Sequence, residues 1–266
     1  MTEPRYTHGH HPSVLRSHSN RTIANSAAYL EPHLREDATL LDIGAGPGSI
    51  TVDFARRVAQ VTATEIDDDA LSLSRELARE QGLRNIAFAV EDVHALTFPD
   101  DAFDIVHAHQ VLQHVADPVQ ALREMARVTR PGGIVAVRDA DYAGFIWHPQ
   151  APELDDWLAL YRAAARANGG EPDAGRHLLA WAHAAGLSGS VATASVWNYA
   201  DDDSRRWWGE MWADRIVESA LARQLVDSGM ADEQRLRAIR TAWRAWAASP
   251  DGWFLVPHGE LIWRKP

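Results

Sequence analysis

In the first half of the chain, short runs of aliphatic and β-branched residues alternate with stretches in which apolar residues recur every three to four positions. Leu40-Leu41-Asp42-Ile43 is the first run, and behind Ser49 the residues Ile50, Phe54 and Val58 repeat at helical spacing, predicting a helix to about Ala59. Val61–Glu65 reads as a second strand. Ala70–Glu80 reads as a helix that Asp68 and Asp69 are placed to cap, with Asp67 also open to a capping role, and that Gly82 closes, and Ile86–Val90 as a third strand. Phe103–Ala108 is a fourth strand. Asp117-Pro118 opens a helix to about Thr129, stopped by Pro131-Gly132-Gly133, and Ile134–Val137 is a fifth strand. Strands and helices alternating at this rhythm predict parallel βαβ units, whose ligands bind beyond the carboxyl ends of the strands.

Beyond Asp139 the rhythm changes. Pro152–Ala167 and Gly175–Ala185 have helical periodicity, a strand runs through Val196-Trp197, and Gly252–Trp263 reads as a final strand. Between the last two strands, Arg205–Ser228 and Asp232–Ala248 read as helices carrying Trp207, Trp208, Trp212, Trp243 and Trp246. The layout expected is one domain: an N-terminal helical arm (1–36), an α/β core (37–200 and 250–266) and a Trp-rich helical insertion (201–249) that sets substrate choice.

Composition narrows the field. A chain of 266 residues that is 46% hydrophobic can bury one sizeable core with a smaller cap. A formal charge of −11 opposes a nucleic-acid groove. No apolar run approaches the roughly 18 residues of a membrane span, and no secretory h-region follows Met1, so a cytoplasmic protein is expected. The absence of cysteine excludes disulfides and thiolate chemistry. No His/Asp/Glu set has metal-ligand spacing, so no metal is expected.

The chemistry starts at Asp42-Ile43-Gly44-Ala45-Gly46-Pro47-Gly48. Three glycines at alternate positions between a strand and a helix let a ligand approach bare backbone. The spacing is not the G-x-G-x-x-G of dinucleotide sites, and the acid ahead of it would repel a pyrophosphate yet suit an amine or a sulfonium. Glu65, at the end of the second strand and 23 residues beyond Asp42, can accept both hydroxyls of a ribose, a role shared by all nucleotide-type cofactors, or be an ordinary solvated acid.

Leu40 to Phe54 resembles motif I of the class I S-adenosylmethionine-dependent methyltransferases, in the branch similar to ubiquinone/menaquinone-biosynthesis (type 11) methyltransferases. The stretch from Glu91-Asp92-Val93 to Phe98-Pro99-Asp100-Asp101-Ala102-Phe103-Asp104 is similar to the segment that follows in that branch, and His109-Gln110-Val111-Leu112-Gln113-His114 resembles its segment after the fourth strand. The resemblance implies a Rossmann-like three-layer sandwich with a mostly parallel seven-stranded sheet and an antiparallel last strand. It also implies S-adenosylmethionine as cofactor and S-adenosylhomocysteine as product. The cofactor would be held by Asp42, Gly44, Ala45, Gly46, Gly48, Glu65, Ile66, Asp92, Val93, His109 and Gln110. The N-terminal arm resembles arms that close over the cofactor, which brings in Arg21 as a partner of its carboxylate and His10 and His11, with His114, as candidate catalytic groups. His114 also has a structural reading, hydrogen-bonded to the Asp117-Pro118 turn.

The tryptophans are expected mostly to pack a core, while favouring a small apolar or aromatic acceptor, with a thiol or hydroxyl preferred over carbon on a quinone-like ring. An NAD-dependent oxidoreductase and a non-catalytic cofactor-binding protein are the rival readings. A small-molecule acceptor is the expected partner. Oligomeric state stays open, and a homodimer is compatible with the apolar helices of the insertion.

Overall fold

The alternation of strand and helix persists in the computed structural model, which describes residues 20–266. In chain order its first elements are α1 (Ile23–Ser26), β1 (Thr39–Ile43), α2 (Ser49–Ala55), β2 (Gln60–Glu65), α3 (Asp68–Glu80), β3 (Ile86–Val90), β4 (Phe103–His109), α4 (Pro118–Val128) and β5 (Thr129–Ala140). There follow β6 (Ile146–His148), α5 (Pro152–Ala167), α6 (Leu178–Ala184), β7 (Val191–Tyr199), α7 (Asp202–Glu218), α8 (Ala220–Asp227), α9 (Glu233–Ala248) and β8 (Trp253–Arg264). The chain divides into two compact units, the larger holding 20–139, 174–195 and 258–266, the smaller 140–173 and 196–257.

In the larger unit the strand order is β3-β2-β1-β4-β5-β8, and β1 to β5 are parallel. The last strand runs the other way: Gly132 N–H donates to Lys265 O at 2.9 Å and Lys265 N–H to Gly133 O at 3.0 Å. Successive strand residues point to opposite faces, so Leu40, Ile105 and Ile134 pack with Phe54 of α2 on one side of the sheet. Leu41, Val106 and Val135 pack with Leu122 and Met125 of α4 on the other. These two apolar layers make the expected α/β sandwich of Rossmann-like type.

Several details differ from the pattern. Asp67, not Asp68 or Asp69, caps α3 by accepting Ala70 N–H at 2.8 Å. Pro131-Gly132-Gly133 does not precede the fifth strand but lies inside it, at an irregularity in the β4–β5 register, where a Cβ on Gly133 would stand 2.7 Å from Asp104 O. The long helix expected over 205–228 breaks at Ser219, whose extended backbone ends α7 and whose Oγ accepts Leu221 N–H at 3.2 Å to start α8. The three-residue β6, too short to show a period, raises the strands to eight among the described residues, where seven were expected.

The smaller unit is built on rings. Trp157, Trp208, Trp212, Trp243 and Trp246 are buried around Phe254, with Trp157 meeting Trp212 and Trp243 edge to face at centroid distances of 4.6 and 4.8 Å. Trp246 Nε1 donates to His148 O at 3.0 Å, and Arg235 grips Asp156 with two guanidinium nitrogens. Whereas the pattern confined the insertion to 201–249, this unit also draws on 140–173 and on the first residues of β8.

Candidate active site

The glycine loop closes β1 and opens α2. Gly44, Gly46 and Gly48 have φ of +67°, +56° and +83°, a region costly for side chains. A Cβ on Gly44 would stand 2.5 Å from Val111 Cγ2, and one on Gly48 2.3 Å from Ser74 Oγ. The N–H groups of Gly44 and Ala45 donate to Thr64 O, and that of Gly46 to Glu65 Oε1 at 2.7 Å. Glu65 thus stands at the loop as expected, and burial raises its carboxyl above the ordinary value against the pull of the Gly46 and Ile66 N–H groups.

Asp42 lies beneath this loop rather than on its rim. It is buried, accepts Thr51 Oγ1–H at 2.6 Å, and its other oxygen meets His107 Nδ1 at 2.9 Å. The carboxylate thereby ties α2 and β4 to the end of β1. His107 escaped the sequence reading; a polar side chain inside the apolar run Ile105-Val106-His107-Ala108 was the available signal.

Farther along the strand ends, the Asp92 side chain is 53% exposed and accepts from His94 through both backbone and ring. Burial would raise its pKa, but the His94 contacts hold it below the ordinary value. Val93 beside it is buried in the core, so its contribution to a ligand is its backbone, and Ile66 is 63% exposed.

At the end of β4 the residues flagged from sequence come together. Arg21 Nη2 donates to Gln110 Oε1 at 2.5 Å, and Gln110 Nε2 donates to His258 Nε2 at 2.9 Å, which leaves the proton of a neutral His258 on Nδ1. Gln110 holds φ at +55°, a strained setting for a non-glycine residue. The His109 ring stacks 6.1 Å from that of His258. Burial first, and then the Arg21 and Arg138 guanidinium groups, push the His109 pKa well below its usual value. His114 takes the Gln113 side chain as partner at 3.0 Å, and burial with Arg21 pushes it down to about 3. Both imidazoles are therefore neutral near pH 7. Asp117, which was to bind His114 in the structural reading, caps α4 by accepting Gln120 N–H at 2.9 Å.

A second buried layer lies behind this rim. Arg138 Nε donates to Ser195 Oγ and Glu260 Oε1 at 3.1 and 3.2 Å, and Glu260 also accepts Thr193 Oγ1–H at 2.9 Å. Next to Arg138, Asp139 Oδ1 accepts Gln113 N–H at 3.1 Å. Neither Asp139 nor His258 was singled out from sequence, although Asp139 repeats the acid-at-strand-end theme of Asp42, Glu65 and Asp92. His10 and His11 lie outside the described residues. No metal-binding group occurs among the described residues.

Trp157, Trp208, Trp212, Trp243 and Trp246 of the smaller unit pack its core. A surface groove of about 300 Å³ opens beside Trp207 and Met211, rimmed by Asp203, Arg206, Glu210 and Asp214, and holds no residue flagged for cofactor or catalysis.

Residues 41–137 match the model of the methyltransferase domain family. An uncharacterized methyltransferase of Schizosaccharomyces pombe is 32% identical over 272 residues, covering 98% of this chain and 96% of that protein. A probable methyltransferase of Aspergillus luteorubrus is 27% identical over 97% of this chain and 96% of its own length. The ubiquinone/menaquinone biosynthesis C-methyltransferase of Proteus mirabilis is 35% identical over 39% of this chain and 43% of its own. Among solved structures, the YcgJ protein of Bacillus subtilis superposes with a TM-score of 0.56 at 21% identity, covering 90% of this chain and 97% of that one, a likeness of fold.

Proposed function

Because the chain belongs to the S-adenosylmethionine-dependent methyltransferases, we propose that its glycine loop and strand-end rim hold that cofactor for transfer to a hydroxyl or thiol of a small apolar or aromatic molecule. The carrying observation is the bare backbone of Gly44 to Gly48 tied to Glu65, with Asp92, His109 and Gln110 at the ends of neighbouring strands. Glycine at 44 and 48 keeps the loop in this shape, since side chains there would collide with Val111 or Ser74, and the Glu65 carboxylate beside it suits the hydroxyls of a nucleoside. Glu65 would accept the ribose hydroxyls, Asp92 and the Val93 N–H would meet the adenine edge, and Arg21, His109 and Gln110 would meet the methionine portion. The bound cofactor supplies an electrophilic methyl on a sulfonium. The chain's own task is alignment and exclusion of water. Asp42 fixes the loop from below, and the neutral His114 imidazole, whose Nε2 accepts from the Gln113 amide, donates Nδ1–H to a lone pair of the acceptor and orients it.

The test is production of S-adenosylhomocysteine from S-adenosylmethionine with a panel of thiols, phenols and amines, alongside equilibrium dialysis against S-adenosylmethionine and NAD. NAD binding without S-adenosylmethionine binding overturns the reading. His114→Ala is expected to lower turnover at least about tenfold while leaving cofactor affinity within about twofold. Equal turnover removes His114 from the mechanism.

A further inference from the structure

One acid at the strand ends is set apart from the others. Asp139 is wholly buried, and its Oδ1 accepts the Gln113 N–H of the Leu112–His114 turn at 3.1 Å. Its Oδ2 is equally buried and has no hydrogen-bond partner among the described residues. A buried carboxylate oxygen without a donor is costly, and native folds rarely leave one so. The register explains where that oxygen stands. His109 pairs with Arg138, so Asp139 extends one residue past the paired ends of β4 and β5, on the side of the sheet edge where ligands of parallel strands bind.

We propose that Asp139 is the catalytic proton acceptor of the transfer, taking onto Oδ2 the proton of a neutral hydroxyl acceptor. The proposal rests on the methyltransferase reading above. As the acceptor oxygen's lone pair forms the bond to the methyl carbon, the carbon–sulfur pair stays on sulfur and the O–H proton passes to the carboxylate. The sulfonium charge and the carboxylate charge vanish together, leaving a methyl ether, a thioether and a carboxylic acid that returns its proton to water between turnovers.

The surroundings suit this role. Burial pushes the Asp139 carboxyl up to about 7, against the pull of the Gln113 and Leu112 N–H groups and of Arg138 and Arg21. A base titrating near the working pH transfers protons most effectively. The histidines on the rim store a proton poorly, because burial and Arg21 disfavour their charged forms. The other charged or titratable groups of this layer are Tyr29, whose pKa burial raises, and Glu260 on β8, held by Arg138, Thr193 and Ser195, while His258 stands against His109 and Gln110.

Calorimetry at pH 7 in buffers of different ionisation enthalpy provides a test that needs no acceptor. Binding the cationic S-adenosylmethionine should lower the Asp139 pKa and release a few tenths of a proton, on the order of half at most. The neutral S-adenosylhomocysteine should release less, and Asp139→Asn should abolish the difference. Identical proton release in wild type and variant, or no difference between the two ligands in wild type alone, overturns the proposal. Turnover adds a second arm. Asp139→Asn should slow methylation of phenol about 100-fold or more yet change that of thiophenol, already ionised, by less than about threefold. Equal losses with both acceptors mark a structural role and overturn it. Failure to bind S-adenosylmethionine at all brings down the methyltransferase reading and this proposal with it, whereas binding without the Asp139-dependent proton brings down this proposal only.

Discussion

The two units solve opposite problems. The larger packs aliphatic side chains in two layers about a sheet and gathers its polar groups at the strand ends, where Glu65, Asp92, Gln110 and Asp139 meet loops. The smaller fills its interior with indoles packed edge-on and tilted about Phe254. In the first, backbone conformation makes the site. In the second, ring shape makes the core. A substitution that adds one methyl group should therefore hurt function in the larger unit, and one that removes a ring should hurt stability in the smaller.

The sharpest way to break that contrast is Gly48→Val. Its φ of +83° and a Cβ position 2.3 Å from Ser74 Oγ leave no room, so S-adenosylhomocysteine affinity by calorimetry should fall at least about 100-fold, roughly 2.7 kcal/mol. Trp157→Ala should do the reverse. It removes a fully buried ring between Trp212 and Trp243, so urea unfolding should show a loss of about 3–5 kcal/mol. Cofactor affinity measured well below the transition should stay within about threefold.

A gentler test is pH. His109 and His114 are depressed in the folded chain, so as pH falls through the unfolded value of 6.5 the unfolded chain binds protons that the folded one refuses, and stability drops. Asp139 has the opposite sign: raised from 3.8 to about 7, its contribution is complete below 3.8 and is lost as pH climbs through 7. Urea midpoints should show His114→Asn flattening the acid-side fall and Asp139→Asn gaining on wild type at pH 8 but not at pH 4.

What the sequence made legible follows the same division. β1 to β4 and the loop could be read because parallel strands are continuous apolar runs and positive φ demands glycine, so Gly44, Gly46 and Gly48 announced themselves. Glu65 and Asp92 were visible as acids ending such runs. Asp42 was visible too, but its burial under the loop was not, because its partners Thr51 and His107 come from other elements. His258 and Glu260 lay hidden in the tail, since only the turn-back of β8 beside β5 brings them to Gln110 and Arg138. In the smaller unit helical periodicity found the tryptophans but not the break at Ser219, where a single hydroxyl capping Leu221 decides between one helix and two.

Gln110 shows how this chain balances durability against use. Its left-handed backbone would relax with glycine or asparagine, so a search for hardier variants by thermal selection would favour replacement there. The same replacement would cut the amide that joins Arg21 to His258. Ranking variants by heat resistance alone would thus enrich for chains disconnected at the rim, and any stabilisation programme on this scaffold should hold position 110 fixed.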